Sequence, residues 1–279
     1  MTEHQASEHV HEVLPPILEL QSITKRFDNV LALHDVSMQI NPGEVHCLLG
    51  DNGAGKSTLI KIFSGVHQQT SGNMCLEGAS ISFANPREAR DRGIATVHQG
   101  TGVLPLMSVA RNFFVGSEPT RGKGVLRRMD MAEARRVSLE QIQALGIRRV
   151  EDADQLVGTL SGGERQALAI SRALYFGARV LILDEPTAAL GVREAQTVLK
   201  LIRRVRHRGV AVVLVTHNAY HALAVGDRFT ILIHGEAADS FVQGERTREE
   251  VLNLMAGGEE LEDLQLELEE IDAEFTPSA

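Results

Sequence analysis

The 279-residue chain reads as an α/β domain on a mostly parallel core sheet, with an antiparallel β-subdomain near its start and a helical insertion in its middle. Three observations predict this. Strands and helices alternate in the first third and again beyond residue 160; a glycine-rich loop near residue 50 joins a short apolar strand to a helix; and strand signals almost vanish between about 100 and 160. Hydrophobic residues make up 43% and charged residues 23%, which excludes disordered, collagen-like and rod-like coiled-coil classes. No apolar run approaches the roughly 18 residues of a membrane-spanning helix; the candidates are short, such as 210–215. The first residues carry Glu3, Glu8 and Glu12 but no Lys or Arg before Lys25, so neither a basic start nor an apolar stretch suggests a secretory signal. The expectation is a cytoplasmic protein whose two cysteines, Cys47 and Cys75, stay reduced.

Residues 1–16 are polar, contain three histidines and end in Pro15-Pro16, which reads as a flexible leader. The domain is expected over 17–257. Alternation predicts strands at 17–23 and 32–40, and the turn Asn41-Pro42-Gly43 leads into an apolar strand at 44–49. A helix through Phe63 follows the glycine-rich loop. Residues 73–83 resemble an antiparallel hairpin, Pro86 opens a short helix, and 94–98 is a buried strand. Inside the insertion, 109–115 and 130–145 have helical spacing, with Gly146 as a stop. Helix 163–176, strand 179–183, helix 193–207 and strand 210–215 then restore the parallel pattern, which places a ligand at the carboxyl ends of the strands. A strand at 228–234 and a helix at 248–255 close the body.

Net charge is −9, but residues 259–279 hold nine acids and no base; without them the body balances at 28 acidic and 28 basic residues. There is no electrostatic footprint for nucleic acid. The tail, 258–279, spaces Leu261, Leu264, Leu268, Ile271 and Phe275 along one helical stripe. Two readings stand side by side: a solvated extension, or a helix docked on a basic surface such as Arg203, Arg204, Arg206 and Arg208, or Arg127, Arg128, Arg148 and Arg149.

Gly50-Asp51-Asn52-Gly53-Ala54-Gly55-Lys56-Ser57-Thr58 matches the phosphate-binding loop G-x-x-x-x-G-K-[ST] in its required strand–loop–helix context. Glycines let successive N–H groups turn inward around phosphate oxygens, and the helix N-terminus adds positive potential there. Lys56 is expected on the β- and γ-phosphates and the Ser57 hydroxyl on Mg²⁺. Downstream, Val180-Leu181-Ile182-Leu183-Asp184-Glu185 delivers two carboxylates at the end of a central strand, where they would be costly unless they met a metal or a reacting water. Asp184 suits Mg²⁺ coordination through water, and Glu185 suits the general base; a strand-end acid capping the next turn is the structural alternative. Leu160-Ser161-Gly162-Gly163-Glu164-Arg165-Gln166 opens a helix whose first N–H groups and Ser hydroxyl form a second anion site, and the same groups can serve simply as a cap.

In these motifs and their order the chain resembles the ATP-binding cassette (ABC) family, over about residues 18–257. The resemblance implies a P-loop NTPase of ABC-ATPase fold, an ATPase with ATP and Mg²⁺ as ligands, and a homodimer that sandwiches two ATP molecules. In that arrangement Ser161, Gly162, Gly163 and Glu164 complete the nucleotide site of the second subunit. It also implies that Gln99 touches Mg²⁺ or the attacking water, that His217 contacts the γ-phosphate, and that Phe27 stacks on adenine; taken alone, each has a bland reading as a loop residue or small anchor. Ser64-Gly65-Val66-His67, Ser82 to Arg90 and Gly93 to Gln99 are similar to bacterial monosaccharide importers of the ribose, xylose and fructose group. This implies two integral-membrane permease subunits, a periplasmic sugar-binding protein acting indirectly, and a peripheral position on the cytoplasmic face of the inner membrane. A soluble non-transport ATPase of the family and a cassette serving a non-sugar substrate are the alternatives. Two departures from the family pattern are Gly191, where many cassettes have Asp, and Gly100-Thr101-Gly102 after Gln99, where an acid is more usual.

Overall fold

A computed structural model describes residues 15–100, 102–122, 124 and 127–256. The acidic tail with its apolar stripe, and the leader up to residue 14, lie outside the described residues. Strands β1 (Leu18–Phe27) and β2 (Val30–Ile40) pair antiparallel, and β1 also pairs with β4 (Ser71–Leu76), which pairs with β5 (Ala79–Ile81). The resulting four-stranded sheet has the order β2-β1-β4-β5. This is the antiparallel subdomain expected from the alternation.

The main sheet runs β12-β11-β3-β10-β9-β6, from β3 (Val45–Leu49), β6 (Ile94–Val97), β9 (Val180–Asp184), β10 (Ala211–Val215), β11 (Arg228–Ile233) and β12 (Glu236–Val242). All its neighbours are parallel except the β11–β12 edge pair. Its central strands are mainly apolar because both faces are covered, with His46 of β3 buried on hydrogen bonds to Gln39 O and Thr230 Oγ1. Period-2 alternation divides them: Val212 and Leu214 join the core beneath the helices, while Ala211, Val213 and Val215 join the core shared with the antiparallel sheet.

The helices fall close to where spacing placed them: α1 (Lys56–Phe63), α2 (Pro86–Asp91), α3 (Val109–Phe114), α4 (Met131–Ala144), α5 (Gly162–Tyr175), α6 (Val192–His207) and α8 (Arg248–Met255). Asn85 caps α2 by accepting from the N–H groups of Arg87 and Glu88, with Pro86 in the first turn. Four elements are not legible in the sequence: α7 (Ala219–Val225), the edge strand β12, and the short hairpin of β7 (Thr120–Arg121) and β8 (Arg128–Met129) inside the insertion, where strand signals almost vanish. Two-residue strands carry no period to detect.

The insertion is held to the core partly by arginines. Arg204 and Arg208 donate to the carbonyls of Leu145 (2.7 Å) and Ala144 (2.6 Å), satisfying the C-terminal end of α4. Arg203 donates to Ala224 O, and Arg206 pairs with Asp227 at 2.8 Å. All four arginines at that helix end, one of the surfaces considered for the tail, are therefore engaged within the fold.

Candidate nucleotide site

Strand order assembles the site. Because β10 lies between β3 and β9, and β6 lies beyond β9, the carboxyl ends of these four strands bring the 50–58 loop, His217, the Asp184–Glu185 pair and Gln99 into one row. The loop turns on Gly50, Gly53 and Gly55, all at positive φ (143°, 86° and 101°), a region glycine enters without Cβ strain. A Cβ at Gly55 would meet Leu33 Cδ2 at 2.8 Å and Ala32 O at 2.9 Å, so β2 packs directly on the loop, whereas a Cβ at Gly53 would meet nothing within 4 Å. Helix α1 starts at Gly55 without a side-chain cap and without an acid in its first turn. Its N–H end is thus left to a ligand, as an anion site requires.

Lys56 is buried and folds back, donating to the carbonyls of Gly50 (2.6 Å) and Asp51 (2.8 Å). Burial lowers its pKa, against the opposing charges of Glu185, Asp51 and Asp184. Those charges show that the lysine and the acidic pair share one space. Burial also holds the Asp184 carboxyl above the usual carboxylate range; His98, 3.9 Å away, works against the shift and Glu185 adds to it. The backbone N–H of Gln99 donates to Asp184, so Gln99 reaches the site through its main chain, with its side chain exposed.

Glu185 is the most constrained member. Its φ is +47°, a left-handed conformation that costs a non-glycine residue about 1–2 kcal/mol. Its N–H donates to Val215 O at 2.9 Å, while its carboxylate accepts from the Thr216 hydroxyl (3.1 Å) and the His217 N–H (2.9 Å). The His217 ring lies 2.8 Å from the same carboxylate through Nδ1. The side chain of Glu185 is 13% exposed and that of His217 is 58% exposed, so the imidazole forms the outer wall. Thr216, fully buried, was missed by sequence reasoning, although its place at the end of β10 beside His217 was a usable signal. Thr187, bonded to His221 Nδ1 at 2.9 Å, ties the loop after β9 to helix α7.

Phe27 ends β1, 37% exposed, with His67 edge-on at 5.2 Å and Lys25 Nζ 4.7 Å from its ring centre. Phe27 belongs to the β1–β2 hairpin whose Ala32 and Leu33 pack on the loop. The Ser161–Glu164 turn lies apart, bonded to α6. Ser161 and Glu164 form a reciprocal capping box, with Glu164 N–H to Ser161 Oγ at 3.3 Å and Ser161 N–H to Glu164 Oε2 at 2.8 Å. The expectation of a freely exposed row of N–H groups is modified here: Gly162 and Gly163 are buried, and the Gly162 N–H already donates to Glu194 of α6 at 2.8 Å.

The donors suit a Mg²⁺-nucleotide. Ser57 is exposed at the loop, and the hydroxyl, carboxylate and amide oxygens of Ser57, Asp184 and Gln99 are the hard ligands this ion takes. Among the described residues no three His, Cys, Asp or Glu side chains group around a metal.

A family model described as ABC transporter matches residues 33–188, more than half of the chain. The chain belongs to the ABC transporter family. It is an ATP-hydrolysing cassette. It is 40% identical over 249 residues to the fructose import ATP-binding protein FrcA of Rhizobium meliloti, covering 88% of this chain and 95% of that protein. Against the xylose/arabinose import ATP-binding protein XylG of Sulfolobus acidocaldarius the identity is 41%, covering 86% and 93%. The ribose import protein RbsA 1 of Rubrobacter xylanophilus is 41% identical, and the cassette spans 47% of its length. Among solved structures, an ATP-binding cassette of an ABC transporter in its ADP conformation superposes with TM-score 0.72 at 26% identity, covering 86% of this chain and 95% of that one. A dimeric cassette in a post-hydrolysis state with ADP and Pi gives TM-score 0.67 at 25% identity, covering 82% and 100%. Among the described residues no helix of the cassette is long and apolar enough to cross a membrane.

Proposed function

We propose that this chain is the ATP-hydrolysing subunit of a monosaccharide importer, working as a homodimer on two membrane permease subunits at the cytoplasmic face of the inner membrane. A periplasmic binding protein delivers the sugar to those subunits. The observation that carries the reading is the row of Lys56, Asp184, Glu185 and His217 at the carboxyl ends of the central strands, in a chain that aligns over nearly the full length of two sugar-import relatives.

The N–H groups of residues 50–58 cradle the triphosphate, and Lys56 releases its two loop carbonyls to contact the β- and γ-phosphates. Ser57, Asp184 through water, and Gln99 would hold Mg²⁺, which would supply positive charge against the phosphate oxygens. Glu185 accepts a proton from the attacking water. His217 turns its outer nitrogen to the γ-phosphate while Nδ1 keeps the Glu185 carboxylate aimed. Phe27 stacks on adenine. Ser161, Gly162, Gly163 and Glu164 form the second wall of the nucleotide site in the opposite copy. The leader at 1–16, the domain at 17–257 and the tail at 258–279 are the working division of the chain.

Glu185→Gln preserves shape and removes the base. ATP turnover should fall about 10²–10⁴-fold while ATP binding persists and an ATP-bound dimer accumulates on a sizing column. Unchanged turnover would move the base elsewhere. Stimulation of the permease-bound cassette by binding proteins loaded with a panel of monosaccharides, against amino acids as controls, tests the sugar assignment.

A further inference from the structure

One carboxylate bridges two helix starts. Glu194, in the first turn of α6, accepts from the N–H of Gly162 at the start of α5 through Oε1 (2.8 Å) and from the N–H of Gly191 at the start of α6 through Oε2 (3.2 Å). Gly191 is extended (φ −65°, ψ 160°), and a Cβ there would meet only Glu194 Oε2 at 3.9 Å, so neither backbone nor space calls for glycine. Without a side chain at the cap, α6 lacks the reciprocal bond that Ser161 gives α5, and Glu194 serves both helices. Leu190, the residue before Gly191, packs against Gly162 so closely that a Cβ on Gly162 would strike its Cδ2. The loop at 186–191 is therefore fastened to the Ser161–Gly163 turn by one apolar contact and one two-oxygen carboxylate bridge.

We propose that Glu194 is a positioning residue for ATP hydrolysis. It sets the Ser161–Gly163 turn and couples it to the loop that begins at Glu185, so that one carboxylate aligns the base of one nucleotide site with the wall of the other. This rests on the reading above that the turn faces a nucleotide held by a second copy. The bridge consumes the Gly162 N–H but leaves the Ser161 hydroxyl proton available, because among the described residues Ser161 Oγ is engaged only as an acceptor, from Glu164 N–H. The two N–H donors are met by separate oxygens of one carboxylate, and both helix starts favour a negative charge. Glutamine, with one acceptor, keeps half of the bridge.

The test uses the full chain, with kcat and KM measured separately, binding of a fluorescent ATP analogue to the dilute chain, and ATP-driven dimerisation on a Glu185→Gln background. Glu194→Ala should lower kcat about tenfold, leave analogue affinity within about twofold, and weaken the dimer; Glu194→Gln should fall between it and wild type. In heterodimers isolated through two different affinity tags, a chain carrying Lys56→Ala and Glu194→Ala together beside a wild-type chain should be slower than the two substitutions placed on separate chains, because the turn acts on the other copy's nucleotide. Wild-type kcat and dimerisation in Glu194→Ala, a Gln variant no better than Ala, or loss of analogue binding by the dilute chain would each overturn the proposal. Ser161→Arg separates the two levels: if it is inactive while Glu194→Ala is normal, only the role of Glu194 fails; if it too is fully active and dimerises normally, the two-copy reading fails with it.

Discussion

The cassette contains two helix N-termini built from glycine and serine around a candidate anion site, and they are finished in opposite ways. At α1 the preceding loop holds three glycines at positive φ, no side chain caps the helix, and no acid occupies the first turn. At α5 the turn has ordinary backbone angles, a capping box, and a carboxylate from the neighbouring helix on its first N–H. The first terminus leaves its donors unsatisfied, so an incoming phosphate gains their full value. The second is largely satisfied from within, by the capping box and by Glu194. Similar residue types thus leave one helix start open to a ligand and the other largely closed by the fold itself.

Three substitutions sharpen that contrast. Lys56→Ala removes the only side-chain cation of the open terminus, and ATP turnover should fall about 10²–10³-fold, the scale of losing one electrostatic contact to developing charge. A kinetic assay showing less than a tenfold loss would mean that the backbone cradle alone suffices. At the closed terminus Gly162→Ala forces a methyl group into Leu190, an overpacking of about 1–3 kcal/mol, visible as a lower melting temperature in the nucleotide-free chain. Unaltered melting would show that Leu190 moves aside freely.

The smallest effect concerns the acid facing the open terminus. Burial raises the Asp184 pKa in the folded chain, so its contribution to stability is fully present below the unfolded pKa and is lost as pH rises through the folded one. At neutral pH the ionised carboxylate therefore destabilises the nucleotide-free fold. Asp184→Asn should raise its melting temperature at pH 7 by a few degrees, at roughly 2–4 °C per kcal/mol, even as it impairs hydrolysis. The gain should vanish below the ordinary carboxylate range, where both side chains are neutral. Calorimetry at pH 7 and in acid would check this, and a lower melting temperature at pH 7 would contradict it.

Most of the open terminus was legible in residue order. Gly50 to Thr58 between an apolar strand and an amphipathic helix, and Val180 to Glu185 ending in two acids, state their chemistry locally, because phosphate binding by backbone N–H groups needs only consecutive residues. Elements with fewer than about four residues, or with no clear period, escaped: the β7–β8 hairpin, α7 and the edge strand β12. The Thr216 and His217 grip on Glu185 also escaped. It depends on β10 lying next to β9, a neighbour relation between segments 31 residues or more apart.

By itself, then, the sequence determined the α/β class, the phosphate loop, the acidic pair and the cassette signature, since each follows from spacing within a short run. Tertiary structure alone decided which of those runs meet. It inserted β10 between β3 and β9, engaged the α6 arginines on the end of α4, and brought Glu194 to Gly162 across 32 positions of chain. Contacts of that kind arise from the packing of two buried faces against a shared sheet, and no periodicity along the chain records which partner a given polar side chain will find when those faces close.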